Sequence, residues 1–184
     1  VVGGGGGGGA FGGGGGGGTV LFSESKELTM NDSCIIKVGN GGNGATVYKN
    51  GVNGKDGIES SITINGKDGI ESSITINSIS YVAKGGGGGG TRNAQSGVDG
   101  NNGGSGGGGS HSNVSDKQAM GGESDKVSYD GWKSYGNNGG KGGKGTGGGH
   151  PEHASGGGGG AGFRGEDAIQ TTQQYRDIES NGLV

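Results

Sequence analysis

Residues 1–22, VVGGGGGGGAFGGGGGGGTVLF, contain the feature that decides the fold of this chain. Two pure glycine runs, 3–9 and 12–18, are separated only by Ala10 and Phe11. Each glycine loses more backbone freedom on folding than any other residue, so an ordered run needs a compensating interaction. Backbone N–H and C=O groups provide one, because chains without Cβ atoms approach each other closely. We therefore interpret these runs as structural material and not as flexible linkers.

The whole chain has this character, with 57 glycines in 184 residues and only 24% hydrophobic residues. Typical domains have about 7% glycine and about 45–50% apolar residues, which excludes an ordinary hydrophobic core here. The net charge of −3 is spread along the chain, and this is not typical of disordered proteins. There is no basic stripe with aromatic residues and no apolar run of about 18 residues, so we expect no nucleic-acid partner and no membrane insertion.

A three-residue helix is the geometry in which glycine alone builds an ordered layer. Polyproline-II geometry has three residues per turn and a rise of about 3.1 Å, so a seven-residue run spans roughly 22 Å. Glycine keeps its N–H group in this geometry and bonds to neighbours on several sides, which predicts a packed layer of polyglycine-II helices. The near absence of proline excludes collagen. Two series of glycines have the expected period of three: Gly97, Gly100, Gly103 and Gly106, and Gly136, Gly139, Gly142, Gly145 and Gly148.

Short antiparallel strands are predicted in residues 19–81, with little or no α-helix. Residues 19–22 and 34–38 are rich in branched and aromatic side chains, which favour strands. Residues 46–48 lead into Asn50-Gly51, a strong hairpin signal. The predicted fold class is therefore all-β and irregular, with a polyglycine-II layer and displayed polar loops.

A twelve-residue duplication lies inside this strand zone. NGKDGIESSITI occurs at 53–64 and again at 65–76. The alternating isoleucines of each copy predict strands with one apolar face, joined by NGKDG turns in which Asp56 and Asp68 are turn formers. A repeated surface epitope and a tolerated expansion at a loop tip both remain open as interpretations.

The order of these features along the chain is distinctive. A glycine run precedes a strand pair in 19–38, then VGNGGNG at 38–44, and ISYVAK at 79–84 leads into glycine runs with polar islands over 85–162. This order resembles the glycine-rich domain of virion structural proteins, found in large DNA virus capsid or spike proteins and in tail-fibre tip adhesins of T-even-like phages. The resemblance implies packed polyglycine-II helices with displayed loops. We predict one glycine-rich domain over 1–163 and a polar tail over 164–184.

The resemblance also implies a role for the polar islands, as loops on a rigid scaffold where recognition residues often lie. The islands are 91–97, 110–120, 123–135 and 150–155. The third contains the only tryptophan, and aromatic side chains there suit a receptor or a glycan. The alternative is that Trp132 forms a small core that caps one end of the glycine layer. The candidate recognition residues are Tyr129, Trp132, Lys133 and Tyr135.

No catalytic, cofactor or metal site is predicted. Motifs of the GxGxxG type arise by chance at this glycine density, and none lies at a strand-to-helix turn. His150 and His153, with His111, could chelate a metal ion, but a solvated polar loop explains them better. We therefore expect a non-enzymatic protein without a cofactor.

The expected function is structural, on the exterior of a virion, as a capsid-associated, spike or tail-fibre component. Its expected partners are other virion proteins in a larger assembly, and possible partners include a host receptor or glycan. Two alternatives remain open. A polyglycine-II bundle with one flat face of small residues could bind ice, and a glycine-rich chain could belong to an extracellular matrix or cell wall.

Overall fold

The computed structural model describes residues 1–10, 12–24, 33–45, 66, 68–92, 97–112, 114, 117–144 and 154–169. These residues contain no α-helix. This confirms the predicted fold class, all-β and irregular with short antiparallel strands. The strands of the described residues are β1 (Val20–Phe22), β2 (Cys34–Lys37), β3 (Ser72–Ile76), β4 (Ile79–Ala83) and β5 (Lys133–Tyr135).

Most of the described chain outside the strands forms extended segments joined by backbone hydrogen bonds. Their donors recur every third residue: Gly3, Gly6 and Gly9 donate to the carbonyls of residues 19, 16 and 13, over 3.0, 2.7 and 2.9 Å. Because three residues make one turn, each side of a segment bonds to a different neighbour, as predicted for polyglycine-II packing. In chain order the segments are I (3–9), II (12–19), III (39–45), IV (66 and 68–71), V (84–90), VI (97–104), VII (105–112), VIII (119–125), IX (136–143), X (154–160) and XI (163–168).

The hydrogen bonds place these segments in three stacked rows, which we call the glycine lattice. The outer row has the order III–I–II–X–XI, the middle row IV–V–VII–IX, and the third row VI–VIII. Each segment runs opposite to the one before it in the chain. All five strands therefore adjoin one end of the lattice, the strand end, because β1 and β3 follow II and IV whereas β2, β4 and β5 precede III, V and IX.

Segment VII is the centre of the lattice. It exchanges backbone hydrogen bonds with II, V, VI, VIII, IX and X, and each of its residues, 105–112, is buried. Ser105 and Ser110 are both 0% exposed, and Ser110 Oγ accepts the Val98 N–H over 2.7 Å. The core is thus mainly backbone, as expected for a chain with few apolar side chains. The prediction of a displayed loop at 110–120 is wrong at both ends, because 110–112 belong to this buried segment and 119–120 belong to segment VIII.

The strands pair differently from the prediction. Residues 19–38 were expected to hold a strand pair, but β1 pairs with β5 and β2 pairs with β3, both antiparallel. The reason is the lattice: segment I separates II from III, so the strands attached to II and III lie apart. β3 also pairs with β4, and the turn Asn77-Ser78 joins them.

The second NGKDG does not form the predicted turn. Gly66 and Gly69 donate to the carbonyls of Gly89 and Gly86, so this stretch is lattice segment IV. Asp68 accepts the Gly88 N–H over 2.7 Å and the Asn101 side-chain amide over 2.9 Å. Its carboxylate therefore caps a backbone donor of the neighbouring segment, a role that no local pattern indicates.

The prediction that glycines of period three line one edge holds for one series and not for the other. A Cβ atom on Gly136, Gly139 or Gly142 would meet the carbonyls at 104, 107 and 110, so these glycines line one edge as predicted. In the other series, Gly97, Gly100 and Gly103 lie in VI and Gly106 lies in VII. Because the chain reverses between these segments, this series does not line one edge. The predicted hairpin at 46–51, the first repeat copy with Asp56, and Gly145 and Gly148 lie outside the described residues.

Candidate recognition surface at the strand end

A small aromatic cluster covers the strand end of the lattice. Tyr81 of β4 has its ring 5.4 Å from the Tyr129 ring at an interplanar angle of 73°, and 4.8 Å from the Trp132 ring at 34°. The cluster packs on the buried apolar core formed by Leu21, Ile76, Tyr81 and Ala83. This end therefore holds the side-chain core that the glycine segments lack.

A tight turn brings two of the three predicted aromatic residues, Tyr129 and Trp132, into this cluster. The Trp132 N–H donates to the Tyr129 carbonyl over 3.1 Å, and Gly131 has a φ of 73° that favours glycine. The Tyr129 hydroxyl accepts the Val82 N–H over 2.9 Å, which fixes the ring against β4. The structure thus places Trp132 where the capping interpretation expected it, with the indole half-buried.

The other two candidate residues lie on the outer side of the β1–β5 ribbon. Leu21 is opposite Ser134 in the register and faces the core, so the neighbouring pairs face outward. Lys133 is exposed and pairs with Glu24 over 2.6 Å, and Tyr135 is 41% exposed. The four candidates are therefore divided between an inner cluster and an outer surface.

Phe22 is the residue of this outer surface that sequence reasoning missed. It is opposite Lys133 in the ribbon, diagonal to Tyr135, and 49% exposed. Two exposed aromatic rings beside a lysine form a non-covalent contact surface, which suits a glycan ring or an apolar protein side chain. The pairing of β1 with β5 creates this surface, and no signal within residues 19–22 indicates it.

A groove of about 510 Å³ runs along segment IX, between VIII and XI. Its charged lining includes Arg164 and Asp167, which bond to each other, and Asp167 Oδ1 accepts the Lys141 N–H over 2.8 Å. Burial raises the pKa of Asp167, but these hydrogen bonds and the charges of Arg164 and Lys141 lower it overall. The carboxylate is thus held in its charged form as part of the lattice edge. Residues 163–168 belong to segment XI, so the predicted polar tail begins inside the lattice.

Two further features concern metals and membranes. The described residues contain no group of three histidine, cysteine, aspartate or glutamate side chains able to hold a metal ion. His111 is 3% exposed in segment VII, whereas His150 and His153 lie outside the described residues. No helix in the described part of the chain is long and apolar enough to cross a membrane.

Comparison with known proteins identifies the family. The family model of the glycine-rich domain matches residues 1–176, which cover all the lattice segments and strands. Neither a curated protein nor a solved structure matches the chain. Since the match extends over nearly the whole sequence, the chain belongs to the glycine-rich domain family.

Proposed function

We propose that this chain is a non-enzymatic structural protein on the exterior of a virion, as a capsid-associated, spike or tail-fibre component. The observation that carries the proposal is the three-row glycine lattice, whose centre at 105–112 is buried and bonded on six sides. Such a core is built from repeated backbone hydrogen bonds, so it forms a scaffold that needs few apolar side chains. The virion placement rests on the sequence resemblance.

The two ends of the lattice differ in what they carry. Segments I, III, V, VII and IX end on the side of the lattice opposite the strands. The strand end carries the aromatic cluster and the outer surface with Phe22, Lys133 and Tyr135. We infer that this outer surface contacts a host receptor or glycan, while other lattice faces contact virion proteins.

Particle labelling tests the virion placement. Antibodies against the purified chain are applied to intact, gradient-purified virus particles from cells that express it, and bound gold is located by electron microscopy. We expect gold on intact particles, whereas antibodies against an internal virion protein label only disrupted ones. Gold confined to a matrix or cell wall without particles would contradict the proposal.

A cell-binding assay tests the contact surface. The double variant Phe22→Ser/Tyr135→Ser removes both exposed rings, and we expect binding of the labelled chain to host cells to fall at least tenfold. The matched control is Ile169→Ser, since Ile169 is 59% exposed and lies immediately after segment XI. An equal loss of cell binding in the double variant and the control, or no loss in the double variant, would contradict a role of the outer surface in host contact.

Ice binding is a second candidate because one face of the outer row presents glycines with open space in front of them. Some glycines there have outward space for a Cβ atom. They lie three residues apart, as Gly5 and Gly8 in segment I and as Gly41 and Gly44 in segment III. A flat, regular face of small residues is what the ice-binding alternative requires. Thermal hysteresis of the purified chain distinguishes the two functions, since a structural virion protein has no reason to produce it.

A further inference from the structure

Polar side chains cap individual backbone groups at several places on the lattice perimeter. Asp99 accepts the Met120 N–H over 2.7 Å, and Lys126 donates to the Gly136 carbonyl over 3.0 Å. Each such cap occupies one backbone group with which an outer segment could otherwise bond another chain. Further caps of the same kind are made by Asp68, Asn102, Gln118, Asn138 and Asp167.

The outer side of segments III, I and II is different. Gly5, Gly8, Gly41 and Gly44 are exposed, and within the described residues their N–H groups have no backbone or side-chain partner. The period of the lattice directs these N–H groups outward, since the two residues before Gly5 donate to II and IV. We call the surface of III, I and II the open face.

The outward positions of the open face carry only small side chains or none. At the strand end the outward positions of I and III are Val2, which is 59% exposed, and Val38, which is 82% exposed. Three and six residues further along each segment, the outward positions are glycines. These outward positions therefore combine open hydrogen-bonding groups with small apolar residues, and segments I, II and III contain no charged residue.

We propose that the open face binds the open face of a second copy of this chain, which adds the next row of the same lattice. The contact continues the packing inside the molecule, where each row fits its segments between those of its neighbour through N–H···O=C bonds. A two-fold axis that lies in the plane of the face, parallel to the segments, brings two open faces together and leaves the segment directions unchanged, so a symmetric pair is possible. This inference stands independently of the virion placement.

The small area of the open face limits the affinity expected for a single pair. Segments spanning roughly 22 Å and spaced about 5 Å apart give an area on the order of 300 Å² per copy. This is below the roughly 800 Å² per partner of a standard stable interface. The association is therefore weak for a single pair and is detected at high protein concentration, with a dissociation constant below about 1 mM.

Sedimentation equilibrium at up to about 1 mM chain, with matched variants, tests this contact. Gly5→Asp/Gly41→Asp puts like charges on the face, and a Cβ atom there meets nothing closer than 3.7 and 3.5 Å. We expect dimer formation to weaken at least tenfold in this variant and to be unchanged in Ser128→Asp, which adds one aspartate at an exposed strand-end site away from the open face. The milder Gly5→Ala/Gly41→Ala variant is measured alongside, in case the charged one does not fold.

The possible outcomes separate the proposal from its competitors. A wild-type chain that stays monomeric at about 1 mM, or a dimer that persists in the double variant, overturns the proposal. Thermal hysteresis by a monomeric wild-type chain, abolished by the same double variant, would make ice the occupant of the face instead. None of these results depends on whether the chain labels virus particles.

Discussion

At the scale of single residues, space for a methyl group differs sharply between glycines. A Cβ atom on Gly87 would overlap the carbonyl oxygen of Asn101, whereas one on Gly5 would lie 3.7 Å from its nearest neighbour, the Gly16 carbonyl. We expect Gly87→Ala to destabilise the fold by about 1–3 kcal/mol through overpacking. Gly5→Ala should be neutral or stabilising by about 0.4–1 kcal/mol, because it restricts the unfolded chain.

Denaturant unfolding of the two variants beside the wild type measures this difference. Gly14, which sequence reasoning also treats as packed, is an intermediate case, since its Cβ atom would lie 3.0 Å from the Gly158 nitrogen. Equal stabilities for Gly87→Ala and Gly5→Ala would mean that the glycine runs are not packed.

We expect Asp167 to make the stability of the lattice depend on pH. Its lowered pKa means that the folded state favours the charged carboxylate more than the unfolded state does. The stabilisation is therefore present above the unfolded pKa of about 3.9 and is lost as the pH falls through the lower folded value. We expect unfolding free energies measured between about pH 5 and about pH 2 to fall less in Asp167→Asn than in the wild type.

The slope of stability with pH is the relevant readout, because Asp167→Asn also loses a charged hydrogen bond at neutral pH. The residue is partly exposed and its contribution is screened, so the difference in slope is small. Parallel pH profiles for the two proteins would show that the carboxylate has no part in the dependence.

At the scale of elements, the β3–β4 hairpin has a turn that its sequence does not favour. Asn77 and Ser78 have φ values of 47° and 69°, and a two-residue turn with both values positive prefers Asn-Gly. Left-handed geometry costs a residue with a Cβ atom about 1–2 kcal/mol. We therefore expect Ser78→Gly to raise the thermal stability of the chain, by about 1 kcal/mol in unfolding free energy.

Ser73→Gly provides the matched control because Ser73 lies within β3. There the same substitution should destabilise the chain by about 0.5–1 kcal/mol, since glycine loses more backbone entropy in a strand. Opposite signs for the two variants would identify the turn as the source of the gain. A loss of stability in both would contradict the strained-turn explanation.

The elements also show how far local sequence predicts this fold. β1, β2 and β3 lie inside the predicted stretches. Branched and aromatic residues favour a strand whichever partner strand they find, so local sequence is enough to predict these three. β5 was missed since Lys133, Ser134 and Tyr135 form a strand only by pairing with β1, far away in the chain. The role of Asp68 was missed for the same reason, because its partner lies on segment V.

At the scale of the whole molecule, the glycine period predicts the packing of the segments better than it predicts the candidate recognition surface. The three-residue spacing of glycines indicated bundled helices because each N–H direction repeats after one turn. It could not indicate that Trp132 faces a core while Tyr135 faces outward. That division follows from the sheet partners of β4 and β5.

Amide hydrogen exchange gives the most complete view of the lattice. Segment VII has neighbours on six sides, whereas III bonds only to I and IV among the described segments. Because opening a central segment requires more hydrogen bonds to break, we expect the slowest exchange at 105–112 and much faster exchange at 39–45. Mass spectrometry of overlapping peptides gives the order of protection. Fast exchange throughout 85–109 would mean that the glycine runs are flexible, and would contradict both the scaffold and the open-face contact that depends on it.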